Sequence, residues 1–440
     1  MPESSDRQIS KAKLYGIMIG MLITGTLNTI VLKTMDNLRA DDGTHRKVPD
    51  PDHPGKLVDP KFNHPFFQTW VMFIGEFMVL VAYYIGEAMK KKKDISDPMS
   101  PNAIAAEQTN LKTKINPLLL AIPAACDFCG SSTMFVSLLM IPGSVYQMLR
   151  GAIIIITAIL AVIFLKKKQY RHHLTSLTVI FIGLFLVGLS ATDKKSSKSS
   201  STVATGIIIL LIAQLFAGTQ FVVEEKILSS YYLNPMQVVG WEGFFGTCYY
   251  LVALPILQFI HCTPSTDFCP DSRIEDSIKA FKQMGNNLGI LFSALGVICT
   301  IAFFNFFGVA TTKYASAPQR STIDTSRTVL IWLWFLSVGS EKFHVVQLIG
   351  FIFLVVGTLV YNEIVVLPFL GFDQWTADAI AKRKLAAGGR RSGAGSMGAK
   401  DYVGVSPHAG YDAGRNKRAI DAGQEKALLD DEKDDYEIRE

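Results

Sequence analysis

Charged residues are scarce in this chain: only 18% of its 440 residues are Asp, Glu, Lys or Arg, whereas 49% are hydrophobic. A soluble domain is typically about a quarter charged. The apolar residues fall into runs of about 20, the length that an α-helix needs to cross the hydrocarbon core of a bilayer. This composition argues against a soluble globular protein and predicts an all-α polytopic membrane protein.

The sequence also lacks the short motifs of common enzyme classes. It contains no phosphate loop, no G-x-S-x-G nucleophile elbow and no H-E-x-x-H zinc site. We expect His172 and His173, which follow a lysine cluster, to be solvated. The basic clusters lie beside apolar runs and form no nucleic-acid recognition motif. The sequence therefore predicts a protein that is not an enzyme, with no cofactor, no metal and no nucleic-acid partner.

Cysteines are few, and their surroundings divide them into two groups. We expect four of them, which lie in apolar runs, to pack as small hydrophobic residues in the core; they are Cys126, Cys129, Cys248 and Cys299. Cys262 and Cys269 lie in a polar loop and could form a disulfide if that loop faces an oxidising compartment. No cleavable signal peptide is visible.

Ten membrane spans can be drawn through the apolar runs. They cover residues 14–33, 65–89, 116–140, 144–165, 173–191, 203–223, 236–260, 287–311, 321–339 and 344–366. Lysine clusters at 90–93, 166–168 and 382–384 are separated by even numbers of spans and so share one side, which the positive-inside rule assigns to the cytosol together with both termini. Lysines at 194, 195 and 198 fall on the opposite side.

The spans divide into two halves that match each other in order. Glu76 and Glu242 are each followed seven residues later by a Tyr-Tyr pair, and Gly25-Thr26 with Lys33 matches Gly218-Thr219 with Lys226. Because each half has five spans, the second half must enter from the opposite side, which makes an inverted repeat. The predicted organisation is a cytosolic N-terminus (1–13), a first repeat (14–192), a linker (193–202), a second repeat (203–366) and a disordered cytosolic tail (367–440).

Ionisable residues inside the apolar runs are the candidate site, since a charge in the bilayer interior costs roughly 2.5–3.5 kcal/mol on insertion scales. Glu76 and Asp127 each lie about 16 Å along their helices, near the midplane, and are expected to bind solute or protons. Glu242 is expected to be shallower. Asn28, Gln147 and Asn305 would add hydrogen bonds, although joining helices is an equally good interpretation.

A second group, consisting of Arg150, Asp324, Arg327 and Lys33, is predicted to form gate ion pairs. Because the repeats are inverted, we expect Arg150 and Arg327 near opposite mouths of the pathway. As alternatives, Asp324 and Arg327 neutralise each other locally, or Arg150 reaches the interface. We expect residues 224–226, two glutamates and a lysine, to form a solvated rim.

The excess of deep acids over deep arginines favours a cationic substrate or proton coupling. A pathway for nucleotide phosphates would be expected to carry more Arg and Lys. The sequence thus predicts a secondary-active transporter that moves a small polar solute by alternating access. A nucleotide-sugar antiporter is one alternative, and a membrane-embedded interaction protein without transport is another. Deleting the tail distinguishes the interaction protein from the two transporters. A transporter should still transport after the deletion, whereas an interaction protein would lose its role.

Several motifs are similar to those of solute carrier family 35, subgroup F, within the drug/metabolite transporter superfamily. They are GTLNT at 25–29, HPFFQ at 64–68, NPLL at 116–119, YQMLRGAIIIIT at 146–157, WEGFFG at 241–246, AFFNFFG at 302–308 and DTSRTVLIW at 324–332. The resemblance implies ten helices in two inverted repeats, with a cavity between spans 1–4 and 6–9 and a homodimer through spans 5 and 10. It also implies an endomembrane location, lysosomal by analogy, with Golgi or mitochondrial membranes as alternatives.

Overall fold

The computed structural model describes residues 11–44, 47–49, 57–93, 112, 115–141, 143–191, 200–261, 273–338, 345–366, 372–376 and 379. The predicted Cys262–Cys269 disulfide lies outside these residues, as does nearly all of the predicted tail.

Helices dominate the described residues. They are α1 Lys11–Asn37, α2 Pro65–Lys93, α3 Ala121–Met140, α4 Gly143–Leu149, α5 Ala152–Leu165, α6 Arg171–Ala191, α7 Ser200–Ser230, α8 Pro235–Phe259, α9 Ser277–Asn286, α10 Leu288–Tyr314, α11 Ala317–Ser337 and α12 Val345–Tyr361. Single 3-10 turns occur at Pro117–Leu120 and Phe372–Trp375, and two short antiparallel strands, β1 Val48–Pro49 and β2 Leu57–Val58, pair Val48 with Val58.

A helix lies on every predicted span, and the fourth span is divided between α4 and α5. Six stretches of the described chain are long and apolar enough to cross a membrane: Ala12–Asn37, Pro65–Met89, Pro117–Leu138, Val145–Leu165, Ser201–Ser230 and Leu288–Tyr314. Two shorter apolar stretches lie at Arg171–Val187 and Val345–Tyr361.

Asparagine caps fix where several helices begin. The Asn116 side chain accepts from the backbone N–H of Leu118, and Asn234 accepts from Met236. Proline follows each of these asparagines, where its fixed φ suits a first helical turn and its missing N–H has no intrahelical role. The two Asn-Pro pairs in the sequence therefore mark the start of the third span and the start of α8.

The closest helix pairs each join one half of the chain to the other. They are α1 with α10, α2 with α8, α3 with α7, and α6 with α12. A glycine row on α8, Gly240, Gly243 and Gly246, lies against the α2 backbone and side chains. A Cβ on Gly243 would lie 2.5 Å from the carbonyl carbon of Glu76, so only glycine permits this approach. The row thus sets the distance between the helices that carry Glu76 and Glu242.

The beginning of α2 is tied to the segment before α9 by one buried carboxylate. Glu275 Oε2 accepts from the backbone N–H groups of Phe66 and Phe67 at 3.1 and 3.3 Å, and Oε1 lies 2.7 Å from His64 Nδ1. These N–H groups belong to the first turn, where a helix has no internal acceptors for them. Glu275 therefore fixes the beginning of α2, the helix that carries Glu76.

The expected core packing of the four cysteines in apolar runs is wrong. Cys299 is exposed, and the other three are only partly buried. The reason is that helices of this bundle expose apolar faces, so an apolar neighbourhood in the sequence does not identify an inward position.

Candidate functional site

Four carboxylates and one guanidinium from five helices lie within electrostatic range of one another. This acidic cluster comprises Glu76 on α2, Asp127 on α3, Glu224 on α7, Glu242 on α8 and Arg320 on α11. Glu76, Glu224, Glu242 and Arg320 are only 3%, 0%, 4% and 2% exposed, and Asp127 is partly buried. The cluster joins residues from both halves of the chain.

Arg320 is the only cation in the acidic cluster, and it pairs directly with Glu224. Its guanidinium carbon also lies 4.0 Å from the centroid of the Phe221 ring, and Nη1 lies 3.4 Å from Thr312 Oγ1. A guanidinium stacked on an aromatic ring and paired with a carboxylate is held in one orientation. Arg320 therefore neutralises one of the four acids and leaves three.

Amide and hydroxyl groups contact two of the remaining acids. Asn305 Nδ2 donates to Glu76 Oε1 at 2.5 Å. Asp127 accepts from Ser131 Oγ at 2.9 Å and from Gln220 Nε2 at 3.2 Å. Neutral donors orient a carboxylate without cancelling its charge. Glu76 and Asp127 therefore keep the capacity to bind a cation or a proton.

Glu242 lies close to Glu76 and is buried with it. It is buried beside Gly243, which packs on the backbone of Glu76, and its Oε1 has no hydrogen-bond partner among the described residues. The prediction that Glu242 is shallower than Glu76 concerns depth in a membrane and stays a prediction, but the close packing of α8 on α2 at Gly243 places the two glutamates together. Glu242 thus belongs with Glu76 in one cluster.

A second charged group, the basic cluster, consists of Arg150, Asp324 and Arg327. Asp324 Oδ2 lies 3.6 Å from Arg150 Nη2, and Oδ1 lies 2.7 Å from Arg327 Nε. The contact between Asp324 and Arg327 is not aligned as a hydrogen bond and acts as an ion pair. Arg327 Nη1 also donates to the carbonyl of Gly25 at 3.0 Å, and the guanidinium lies 4.7 Å from the Phe304 ring centroid.

The expected placement of Arg150 and Arg327 at opposite mouths is therefore wrong, because both pair with the same aspartate. The local neutralisation of Asp324 by Arg327 is confirmed. The error has a structural source: the fourth span is interrupted between Leu149 and Ala152. There the Gly151 N–H bonds to the carbonyl of Met148 in a tighter 3-10 pattern, and an interrupted membrane helix can place a charge at depth.

The other predicted residues lie outside both clusters. Asn28 is buried and accepts from Thr300 Oγ1 at 3.0 Å, which joins α1 to α10. Gln147 is partly buried, and its Oε1 lacks a hydrogen bond within the described chain. Lys33 is exposed and lies in range of Asp36, so its predicted gate pair is not formed in the part of the chain that is described.

The predicted solvated rim at residues 224–226 is wrong for both glutamates. Glu224 pairs with Arg320, and Glu225 pairs with Lys167 and accepts from the backbone N–H of Ala317 at 2.9 Å. Both carboxylates are buried because α7 continues to Ser230, beyond the end predicted at residue 223. The same boundary problem hid Arg320, since α11 begins at Ala317 and not at 321.

Comparisons with known proteins point to families of membrane transporters. Residues 59–241 match the family described as Nucleotide-sugar transporter, and residues 204–362 match the EamA-like transporter family. A solved chain titled "Crystal structure of protein" is 12% identical and aligns with a TM-score of 0.48, covering 81% of this chain and 98% of that one. That likeness is too weak to support an argument.

Curated relatives cover most of the chain. Solute carrier family 35 member F6 of Rattus norvegicus and of Homo sapiens are each 36% identical over 348 residues, which is 78% of this chain and 86% of theirs. An uncharacterized protein of Schizosaccharomyces pombe is 31% identical over 79% of this chain and 97% of its own length. The chain therefore belongs to solute carrier family 35, a family of membrane transporters.

Proposed function

We propose that this protein is a secondary-active transporter that moves a small cationic solute across an endomembrane by alternating access, in exchange for protons. The observation that carries the proposal is the acidic cluster, in which four carboxylates from both halves of the chain face one arginine. Burying a charge is costly unless it is paired. Each carboxylate left without a cation therefore favours occupation by a proton or by a cationic group of a solute.

The proposed architecture is ten membrane helices in two inverted five-helix repeats. Its support is the set of closest helix pairs: span 1 packs on span 8, and span 3 packs on span 6. If each span is exchanged with the one five places along, span 1 becomes span 6 and span 8 becomes span 3, so the first of these pairs turns into the second. The same exchange leaves the pairs of spans 2 and 7, and of spans 5 and 10, unchanged. A two-fold relation between the halves would produce this pattern.

The composition of the acidic cluster supports an exchange of protons for solute. Glu224 is already neutralised by Arg320, whereas Glu76, Asp127 and Glu242 contact no other cation among the described residues. When these groups open to one compartment, a cationic solute would replace their protons. When they open to the other compartment, protons would replace the solute. The stoichiometry is set by how many of the three carboxylates change partner in a cycle.

A nucleotide-sugar antiporter is the second candidate, favoured by the family match over residues 59–241. Phosphate groups would need the basic cluster, where two arginines share one aspartate. This candidate predicts that nucleotide sugars raise the melting temperature of the purified protein. It also predicts that Arg150→Gln removes the increase.

The transport proposal is tested in liposomes that contain the purified protein and an internal pH-sensitive dye. A panel of small organic amines and nucleotide sugars is added outside. We expect amines to drive proton movement, and a pH gradient to drive uptake of the labelled amine. Glu76→Gln is expected to lower uptake roughly tenfold or more, since a hydrogen bond to a charged group contributes about 1.5–3 kcal/mol.

The matched control is Glu87→Gln, about three turns further along the same helix and only partly buried. It should transport as the wild-type protein does. Uptake that is independent of pH and selective for anions would contradict the proposal and favour the nucleotide-sugar alternative.

We extend the proposal to location and assembly. By analogy with the family we propose an endomembrane, most simply the lysosomal one, whose acidic lumen would supply the proton gradient.

We also propose a homodimer through α6 and α12, which expose Phe181, Phe185, Ile349 and Ile352. Mass measurement of the protein in detergent, with Phe181→Ala and Phe185→Ala together, tests the dimer.

A further inference from the structure

The expectation that His172 and His173 are solvated is wrong. His172 is 3% exposed at the beginning of α6, and its ring lies 4.0 Å, centroid to centroid, from that of His173. The Tyr170 ring stacks on His172, and the Tyr361 ring meets His173 edge-on at 5.0 Å. The two imidazoles are therefore held in place by packing, apart from both charged clusters.

A carboxylate from the other half of the chain completes the group. Glu363, just after α12, places Oε1 at 3.2 Å from His172 Nε2. One ligand atom from each of His172, His173 and Glu363 lies within 4.8 Å of the others. Two ligands about 2.0 Å from a tetrahedral ion are about 3.3 Å apart, so the His172–Glu363 pair already has the separation of two metal ligands.

The backbone of Glu363 is strained in a way that favours a role for its side chain. Its φ is 57°, in the left-handed region, where a helix end usually carries glycine. The backbone N–H groups of Ile364 and Val365 both bond to the carbonyl of Leu359, which closes the helix end around this residue. A residue other than glycine in this conformation costs roughly 1–2 kcal/mol. The chain keeps a glutamate here despite that cost.

We propose that His172, His173 and Glu363 form a binding site for one divalent transition-metal ion of the Zn²⁺ class. Two imidazoles and one carboxylate are the protein ligands of a common open zinc site, in which the fourth position is left to water or a further ligand. The His173 Nδ1 atom accepts from the Tyr170 N–H at 3.3 Å, a long hydrogen bond that a metal would readily replace. The apolar side chains of Val360, Val365 and Phe372 line a pocket together with His172 and Glu363.

The ion would join the beginning of α6 to the end of α12, the last helices of the two halves. Mg²⁺ would not be held, because it prefers oxygen ligands in octahedral geometry. The competing interpretation is a simple hydrogen bond between His172 and Glu363. That interpretation requires neither His173 nor the strained backbone of Glu363, and metal binding distinguishes the two.

The test uses the full chain, purified with a tag that contains no histidine, stripped with a chelator and titrated with Zn²⁺ in a calorimeter. We expect one ion per chain, a higher melting temperature with Zn²⁺ and no binding of Mg²⁺. His172→Gln, His173→Gln and Glu363→Gln should each weaken binding about tenfold or more. The matched control is His261→Gln, at an exposed histidine, which should bind as the wild-type chain does.

Glu363→Gly keeps the test informative if a ligand variant folds poorly. Glycine relieves the left-handed backbone, so the metal-free melting temperature should be retained or higher while Zn²⁺ binding is lost. The proposal is overturned if the wild-type chain binds no Zn²⁺, if all three ligand variants bind it as tightly as the wild type, or if His261→Gln weakens binding equally.

Discussion

Replacing Arg320 with methionine is expected to lower the free energy of unfolding by about 3–5 kcal/mol, since breaking a buried ion pair from one side leaves an uncompensated charge. Arg320 is 2% exposed and pairs with Glu224, whose side chain is fully buried. The variant also removes the guanidinium from its position over the Phe221 ring. Methionine keeps much of the side-chain volume, so the effect reports the lost charge more than a cavity.

A double-mutant cycle separates the ion pair from packing. Adding Glu224→Gln to Arg320→Met should recover much of the lost stability, because the remaining side chain no longer carries an unpaired charge. Unfolding of the purified protein in detergent, followed by helical circular dichroism, measures each corner of the cycle. Lys226→Met is the control: Lys226 is exposed on the same helix, and its loss should change stability by less than about 0.5 kcal/mol. Additive single effects would argue against a coupled pair.

Replacing Gly243 with alanine is expected to lower the free energy of unfolding by about 3 kcal/mol, the upper part of the usual cost of overpacking. The new Cβ would lie 2.5 Å from the carbonyl carbon and from the Cβ of Glu76. Backbone atoms cannot rotate away as the end of a long side chain can, so α2 and α8 must separate. That separation would also displace Glu76, and we expect transport to fall with stability.

Gly16→Ala is the matched control for this substitution. Gly16 is also inside a long helix, α1, but a Cβ there would meet no atom of the described residues within 4 Å beyond its own turn of helix. Alanine is favoured over glycine in a helix by roughly 0.5–1 kcal/mol, so this variant should be as stable as the wild type or slightly more stable. Equal losses of melting temperature in the two variants would show that close approach at Gly243 is not the cause.

The sequence predicted the helices well because each span carries its own signal. Length and apolar content predicted ten helical segments, and a helix lies on each of them, although only six stretches of the described chain are long and apolar enough to cross a membrane. Asn-Pro pairs at residues 116–117 and 234–235 marked two starts. Glu76 and Asp127 could be singled out for the same reason, since a charge in an apolar run is visible without knowledge of packing. Their roles in transport remain a proposal.

The partners of these charges could not be predicted, because they depend on which helix faces which. Arg320 and Glu224 are 96 residues apart in the chain, and nothing local to either one indicates the other. The sequence repeat also misleads about surroundings, because Tyr83-Tyr84 and Tyr249-Tyr250 match in sequence but not in burial. Tyr84 is half exposed, whereas Tyr250 is fully buried and its hydroxyl forms a hydrogen bond with Ser132 Oγ at 2.9 Å. Duplicated positions share a helix type but not its surroundings.

The close contact between α6 and α12 has a mechanical consequence for a transporter of this kind. At Gly183 and Gly350 the two backbones meet so closely that a Cβ on the first would lie 2.6 Å from the carbonyl oxygen of the second. Packed backbones resist sliding, whereas they tolerate small rotations. If the halves rock to open the acidic cluster to alternate sides, we expect them to turn about this contact. A chemical crosslink there should therefore leave turnover intact, while a crosslink between α2 and α8 should stop it.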